Sequence, residues 1–195
     1  MSAPRLILAS MSPRRRALLE QIGIAYRVCA PHVDERLQSG EAPAAHVLRL
    51  ARAKALAVAA REPGLPVLAA DTIVVVEGLV LGKPADRAAG VAMLQRLGGR
   101  SHEVLTAVAL ACGGALATRL SVSEVRMRAL SEAECRAYWD SGEPHDKAGG
   151  YAVQGRAAVF IESIRGSYSG IMGLPLYETA ELLLGAGLPL LEHRA

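Results

Sequence analysis

The sequence predicts a single α/β domain, residues 1–195, built on a mixed β-sheet flanked by helices. Three observations lead there. Short apolar runs of strand character are interleaved with Ala/Leu-rich stretches of helical period. Two hairpin signals, Glu77-Gly78 and Gly113-Gly114, occur beside longer helical connections of crossover type, so parallel and antiparallel pairs are both expected. The composition is globular: 51% hydrophobic and 21% charged over 195 residues, enough to bury one good-sized core.

Taken in order, Leu6-Ile7-Leu8-Ala9 reads as a buried first strand. Ser12 then caps a helix with Pro13 at its first position and Leu18, Leu19 and Ile22 on one face, and Gly23 ends it. Ala30 to Pro43 is a loop carrying His32, Asp34, Glu35 and Glu41. A long Ala/Leu helix follows from about Ala44 to Arg61, closed by Pro63-Gly64. A strand spans Pro66 to Ala70, Asp71-Thr72 stand at its end, and Ile73 to Val76 continues as strand. After the Glu77-Gly78 turn comes Leu79-Val80-Leu81. Asp86 caps a helix to Leu97 that Gly98-Gly99 stops. His102 to Ala111 is strand-like, and Val122 to Met127 alternates with period two. Ser131-x-x-Glu134 is a capping box opening a helix to about Trp139. A loop holds Ser141 to Tyr151, Ala157 to Ile164 reads as a strand, and Pro175 starts a last helix ending near Gly185.

Composition narrows the function. Aromatics are 4% of the chain, too few for binding single-stranded nucleic acid by stacking. The net charge of +3 allows local basic patches without suggesting a general polyanion binder. The expectation is therefore no nucleic-acid partner. Cys29, Cys112 and Cys135 are scattered and unpaired in spacing, which argues against a disulfide framework or a structural zinc site. The apolar run after Arg5 is too short for a signal sequence and no later run spans a membrane, so a soluble, cytoplasmic protein is expected.

Several segments carry chemistry. In Ser10-Met11-Ser12-Pro13-Arg14-Arg15 a buried strand ends, two hydroxyls follow, and a helix begins with guanidinium groups in its first turn. Cations there oppose the helix dipole unless an anion sits at that end. Free N–H groups, hydroxyls and Arg forks suit a phosphate, although an ordinary cap followed by solvated arginines has the same spelling. Asp71, between two apolar runs, is well placed to hold a metal or activate water, or else is a turn residue. Glu35, beside Asp34, is a metal ligand or a solvated acid. Gln154, after a glycine-rich loop, has an amide able to read a base edge, or is a polar turn residue. Only three of the 22 basic residues are Lys: Lys54, Lys83 and Lys147. Lys83 and Lys147 sit in special loops, which favours convergence on an anion. Leu81-Gly82-Lys83-Pro84 is not a phosphate-binding Walker loop, since Pro84 follows the lysine and Glu77 replaces the upstream glycine.

In this order the segments resemble the Maf family of nucleoside triphosphate pyrophosphatases. The resemblance runs through Leu8-Ala9-Ser10-x-Ser12-Pro13-Arg14-Arg15, Val33-Asp34-Glu35, Arg49-x-x-Arg52-x-Lys54-Ala55 and Ala70-Asp71-Thr72-Ile73-Val74. It continues through Leu81-Gly82-Lys83-Pro84, Asp146-Lys147-Ala148-Gly149-x-Tyr151-x-x-Gln154-Gly155, Ile164-x-Gly166-Ser167-Tyr168 and Gly173-Leu174-Pro175-Leu176. It covers essentially the whole chain, and the combination is far more specific than any one piece.

The resemblance implies an elongated, ITPase-like mixed sheet with a cleft between two lobes. It implies hydrolysis of the α–β phosphoanhydride of a nucleoside triphosphate, with Mg2+ or Mn2+ as cofactor. By position Asp71 matches the general base, Glu35 an acid that helps Asp71 hold the metal, and Lys83 a catalytic cation. Ser10, Ser12, Arg15 and Lys54 match the phosphate-binding set. Arg14, Thr72 and Gln154 match the branch that acts on dTTP and UTP, whereas another branch prefers 7-methyl-GTP. Family members often form dimers, which makes a homodimer one expectation. They are also associated with septum inhibition, so a nucleotide-binding regulator of cell division without turnover is the reading from a different class.

Overall fold

The computed structural model describes residues 3–190. In chain order its elements are β1 (Leu6–Leu8), α1 (Pro13–Gln21), β2 (Tyr26–Val28), α2 (Pro43–Ala59), β3 (Val67–Val76), β4 (Leu79–Leu81) and α3 (Arg87–Leu97). Then follow β5 (Ser101–Cys112), β6 (Ala115–Met127), α4 (Glu132–Asp140), β7 (Ile161–Arg165), α5 (Tyr168–Met172) and α6 (Leu176–Gly185). Short 3-10 segments occupy Glu143–Asp146, Ala148–Gly150 and Arg156–Phe160.

The seven strands form one sheet in the order β2-β1-β3-β5-β6-β7, with β4 paired to β3 off this path. β1 runs parallel to β2, with Leu6 opposite Tyr26, and parallel to β3, with Ile7 opposite Val67. β3 and β4 are antiparallel, as are β6 and β7. The sheet is thus mixed and flanked by helices, as expected. The β3–β4 hairpin closes through Glu77 at φ 50° and Gly78 at φ 77°. Both central residues are left-handed, the geometry whose twist matches that of paired strands.

The chain divides into two compact units. The first comprises residues up to Asp71, Thr106–Ser121 and the part from Gly173 onward, and the second comprises Thr72–Leu105 and Val122–Met172. In the first unit Leu6, Ile7, Leu8, Leu19, Val47 and Leu68 are fully buried, so β1, β3 and the inner faces of α1 and α2 supply the core. The core of the second unit joins Val74, Leu94, Val125, Met127, Tyr138 and Phe160 with their neighbours. Few aromatics are needed because branched aliphatic side chains from strands and helices fill these interiors.

Local signals account for most boundaries. Ser12 caps α1, Asp86 caps α3 by accepting from the Ala89 N–H at 2.8 Å, and Ser131 with Glu134 forms the capping box of α4. β6 alternates buried and exposed residues from Ser121 to Met127, but the strand starts earlier, at Ala115. Two expectations are corrected. Residues 157–164 are not one strand: Arg156–Phe160 is a 3-10 turn and only Ile161–Arg165 is extended. Asp71 does not end a strand but lies inside the ten-residue β3, because the β-branched run after it keeps the backbone extended. β2 and α5, each five residues or fewer, carried no periodic signal and were not expected.

No helix among the described residues is long and apolar enough to cross a membrane. The three cysteines are free thiols.

Candidate active site

Within the first unit, the end of β1 and the start of α1 bring Ser10, Ser12 and Arg15 together. Ser10 is 4% exposed, and its Oγ accepts from the Ser12 N–H and from Arg15 Nη1, each at 3.2 Å. Arg15 Nε donates to the Gly173 carbonyl at 2.7 Å, and the Arg15 N–H donates to Ser12 Oγ at 3.5 Å. Arg15 is therefore built into the fold, which removes the reading of α1 as starting with merely solvated arginines. Burial pulls its guanidinium below its ordinary pKa. Asp71 opposes that shift, Arg14 adds to it and Glu35 opposes it again, so all three charges act on Arg15. Guanidinium starts high enough to stay charged. No acid stands in the first turn of α1 to offset these cations.

Lys54 is the centre of the second cluster in the same unit. It sits on α2 only 5% exposed, and its Nζ donates to Asp71 Oδ1 at 2.7 Å and reaches Glu35 Oε1 at 2.7 Å. Asp71 is buried on β3, whereas Glu35 lies on the exposed loop before α2. A buried ammonium needs paired charge to remain charged, and here it has two carboxylates. Sequence reasoning named all three residues but not their direct pairing.

The loop that carries Glu35 is fastened by residues the sequence gave no role. Glu41, whose side chain is 9% exposed, takes Arg49 Nε at 2.6 Å and Arg49 Nη2 at 2.7 Å on its two oxygens. His46 Nδ1 lies 2.9 Å from Glu41 Oε2, and Arg49 Nη2 also donates to the Arg36 carbonyl at 3.1 Å. The forked hydrogen bonds from Arg49 hold the Glu41 carboxyl down at about 2, well below its ordinary value, against the opposing effect of burial. Nothing in local spacing announces this contact, because Glu41 precedes the helix and Arg49 lies a turn inside it.

That pairing makes a pH prediction. The folded-state value of Glu41 lies below the ordinary 4.5, so its contribution to stability is complete above that value and is lost as pH falls toward about 2. Urea unfolding of the native chain should therefore weaken more steeply across that window than unfolding of Glu41→Gln. Parallel pH profiles for the two would show that the pairing adds nothing to the fold.

The remaining expected residues belong to the second unit. Thr72 follows Asp71 on β3 and is half-buried. Lys83 is exposed in the turn after β4, and that turn is braced when the Gly149 N–H donates to the Gly82 carbonyl at 3.0 Å. Gly149 has φ 69° and a Cβ there would meet Val74 at 2.9–3.1 Å, so the glycine is required by both backbone and packing. Lys147 is turned into its own loop, donating to the Glu143 carbonyl and to Asp146 Oδ1, each at 2.6 Å. Its expected convergence on an anion is not needed to explain its place. Gln154 stands exposed in a turn directly before the 3-10 segment.

Among the described residues no three His, Cys, Asp or Glu side chains gather as a metal cage. The Glu35 and Asp71 carboxylates meeting at one cationic point are a different kind of donor set. It suits Mg2+ or Mn2+, which take one or two carboxylates and complete their shells with water and substrate phosphate. These residues therefore fit the expected metal.

Fold and site together define a mixed α/β protein whose first unit gathers guanidinium, ammonium, hydroxyl and carboxylate groups of the kind that phosphate chemistry uses. The chain belongs to the Maf family: residues 5–186 match the family described as Maf-like protein. It is 55% identical to a dTTP/UTP pyrophosphatase of Bordetella parapertussis over 194 residues, covering 95% of this chain and 94% of that protein. It is 54% identical to a dTTP/UTP pyrophosphatase of Alkalilimnicola ehrlichii, covering 92% of each chain. Against one of Symbiobacterium thermophilum it is 52% identical over 95% of this chain and 96% of the other. Among solved structures, the Ham1 protein of Staphylococcus aureus aligns over 63% of this chain and 71% of that one, with TM-score 0.46 and 16% identity.

Proposed function

We propose that this protein hydrolyses dTTP and UTP to the monophosphate and pyrophosphate, using Mg2+ or Mn2+, and so removes such nucleotides from the pool. The observation that carries the reading is the buried Lys54 ammonium holding Asp71 and Glu35 at 2.7 Å each within the electrostatic reach of Arg15. The names and near-full-length identities of the Bordetella and Alkalilimnicola relatives support the choice of substrate.

The chemistry follows from charge. A triphosphate carries about four negative charges, so an attacking hydroxide is repelled unless cations surround the reacting phosphorus. Asp71 takes the proton from water as the water oxygen bonds to phosphorus and the α–β bridging P–O bond breaks. Arg15, with Ser10 and Ser12, receives phosphate oxygens at the N-terminus of α1, where helix N–H groups add their partial positive charge. Arg14 lies in the same turn. Lys54 and Lys83 stabilise the charge that develops on the departing pyrophosphate. A divalent cation held by Glu35 and Asp71 would neutralise phosphate charge and help orient the water. Gln154, with Thr72, selects the base: its amide offers a donor and an acceptor to the matching edge of thymine or uracil.

The test is pyrophosphate release from a panel of nucleoside triphosphates, with Mg2+ or Mn2+ and with chelator. Metal-dependent release from dTTP and UTP, with little from purine nucleotides, is the expected result. Preference for 7-methyl-GTP would overturn the substrate and leave the chemistry. Absence of release from every nucleotide would sink the enzymatic reading and favour the cell-division regulator.

A further inference from the structure

We propose that Glu143 and Tyr138 are positioning residues that set base preference by clamping the turn that carries Gln154. This deepens the proposed function and rests on its reading of Gln154 as the base contact. Gln154 is exposed at the tip of its turn, so its amide is only as well placed as the backbone beneath it. That backbone is held on both sides of residue 154. On the N-terminal side the Ala152 N–H donates to the Tyr138 hydroxyl at 3.1 Å. On the C-terminal side the Arg156 N–H donates to Glu143 Oε2 at 3.0 Å and the Ala157 N–H to Glu143 Oε1 at 3.4 Å. The Tyr138 hydroxyl in turn donates to Glu143 Oε1 at 2.6 Å, joining the two halves into one clamp. The turn itself closes when the Gly155 N–H donates to the Ala152 carbonyl at 3.0 Å.

Both clamp residues are themselves fixed. Tyr138 lies on α4 only 4% exposed, with its ring edge-on to Phe160 at 5.4 Å between centroids. The Glu143 carbonyl receives Lys147 Nζ at 2.6 Å. Burial pushes the Glu143 carboxyl up, yet the Tyr138 hydroxyl, the two backbone N–H groups and Lys147 outweigh it and hold the carboxyl below its ordinary value. The carboxylate is thus an anion in place to accept all of these donors.

Gly155 gives an independent sign that this space is reserved. Its φ of −112° is open to any residue, so backbone freedom does not explain a glycine there. A Cβ at 155 would instead run into the Glu143 carboxylate. Because that carboxylate is the far end of a flexible side chain, Gly155→Ala should displace it and open the clamp while leaving the fold intact.

Uracil and cytosine differ at the edge a Gln amide reads, with donor and acceptor exchanged, so discrimination depends on how firmly the amide is oriented. The experiment measures kcat/KM for UTP and CTP in the native enzyme, Tyr138→Phe, Gly155→Ala, Gln154→Ala and the double variant Tyr138→Phe/Gln154→Ala. Tyr138→Phe and Gly155→Ala should each lower the UTP/CTP ratio about tenfold, through KM for UTP more than through kcat. In the Gln154→Ala background, Tyr138→Phe should lower it no further. An unchanged ratio in both Tyr138→Phe and Gly155→Ala, or an equal further loss in the Gln154→Ala background, overturns the clamp while the reading of Gln154 stands. If Gln154→Ala itself leaves the ratio unchanged, the reading of Gln154 fails and the clamp loses its purpose with it.

Discussion

Replacing Asp71 with Asn is expected to lower kcat for dTTP about a thousandfold while the affinity for nucleotide changes little. The substitution is nearly isosteric and keeps an oxygen able to accept from Lys54 Nζ, which stands 2.7 Å from Asp71 Oδ1. It removes the charge proposed to take the proton from water. Lys54 keeps Glu35 as an anionic partner at 2.7 Å, so the buried ammonium is not left alone. Rate and binding should therefore separate. Single-turnover kinetics give the first, and equilibrium binding of nucleotide in the presence of Ca2+, with the same assay in chelator as reference, gives the second. A variant that loses binding but retains turnover would assign Asp71 to substrate capture and leave the general base to be found elsewhere.

Replacing Lys54 with Met is expected to be costly in two ways. The side chains of Lys54 and Asp71 are 7% and 10% exposed, so the pair is a buried one. Removing one partner leaves a desolvated carboxylate, which destabilises by about 3 kcal/mol in comparable buried pairs. Urea unfolding should show a lower midpoint at unchanged slope. Turnover should fall by about a hundredfold as well, because the cation proposed to stabilise the leaving group is gone. Lys54→Arg separates the two effects. Its charge should restore part of the stability, but a planar fork does not replace a compact ammonium between two carboxylates, so turnover should stay low. Equal stability in the native chain and Lys54→Met would refute the structural half of this account.

The sequence made much of the architecture legible because its punctuation is chemical. The capping signals at Ser12, Asp86 and Ser131 and the glycine turns at 78 and 113–114 mark boundaries that the structure reproduces. It was less legible where extended and 3-10 backbone share the same apolar spelling, as in Ala157 to Phe160. At Asp71 an acid interrupts an apolar run, which along the sequence reads as a strand end. In the structure that interruption is internal to β3, stabilised by Lys54 from a neighbouring helix. Such a partner is invisible to any local pattern. The same reason hid Glu41 with Arg49 and Glu143 with Tyr138. Each is a contact between elements, and neither residue type nor spacing along the chain announces it. Residue type at a strand end and helix start did announce Ser10 and Arg15, whereas Lys54 inside α2 and Glu35 on an exposed loop stand out only through the family resemblance.

The division of the chain into two units has a consequence for inheritance. Ser10, Arg15, Glu35, Lys54 and Asp71 belong to the first unit, whereas Gln154 and its supports at 138, 143 and 155 belong to the second. Lys83 and Arg14 apart, the groups proposed to handle phosphate and those proposed to distinguish one base from another are thus encoded in separate cores. Substitutions around Gln154 fall in a core separate from the one that packs Lys54 and Asp71. A lineage could in this way exchange its nucleotide and keep its reaction, with recognition drifting under selection while the hydrolytic chemistry stays fixed.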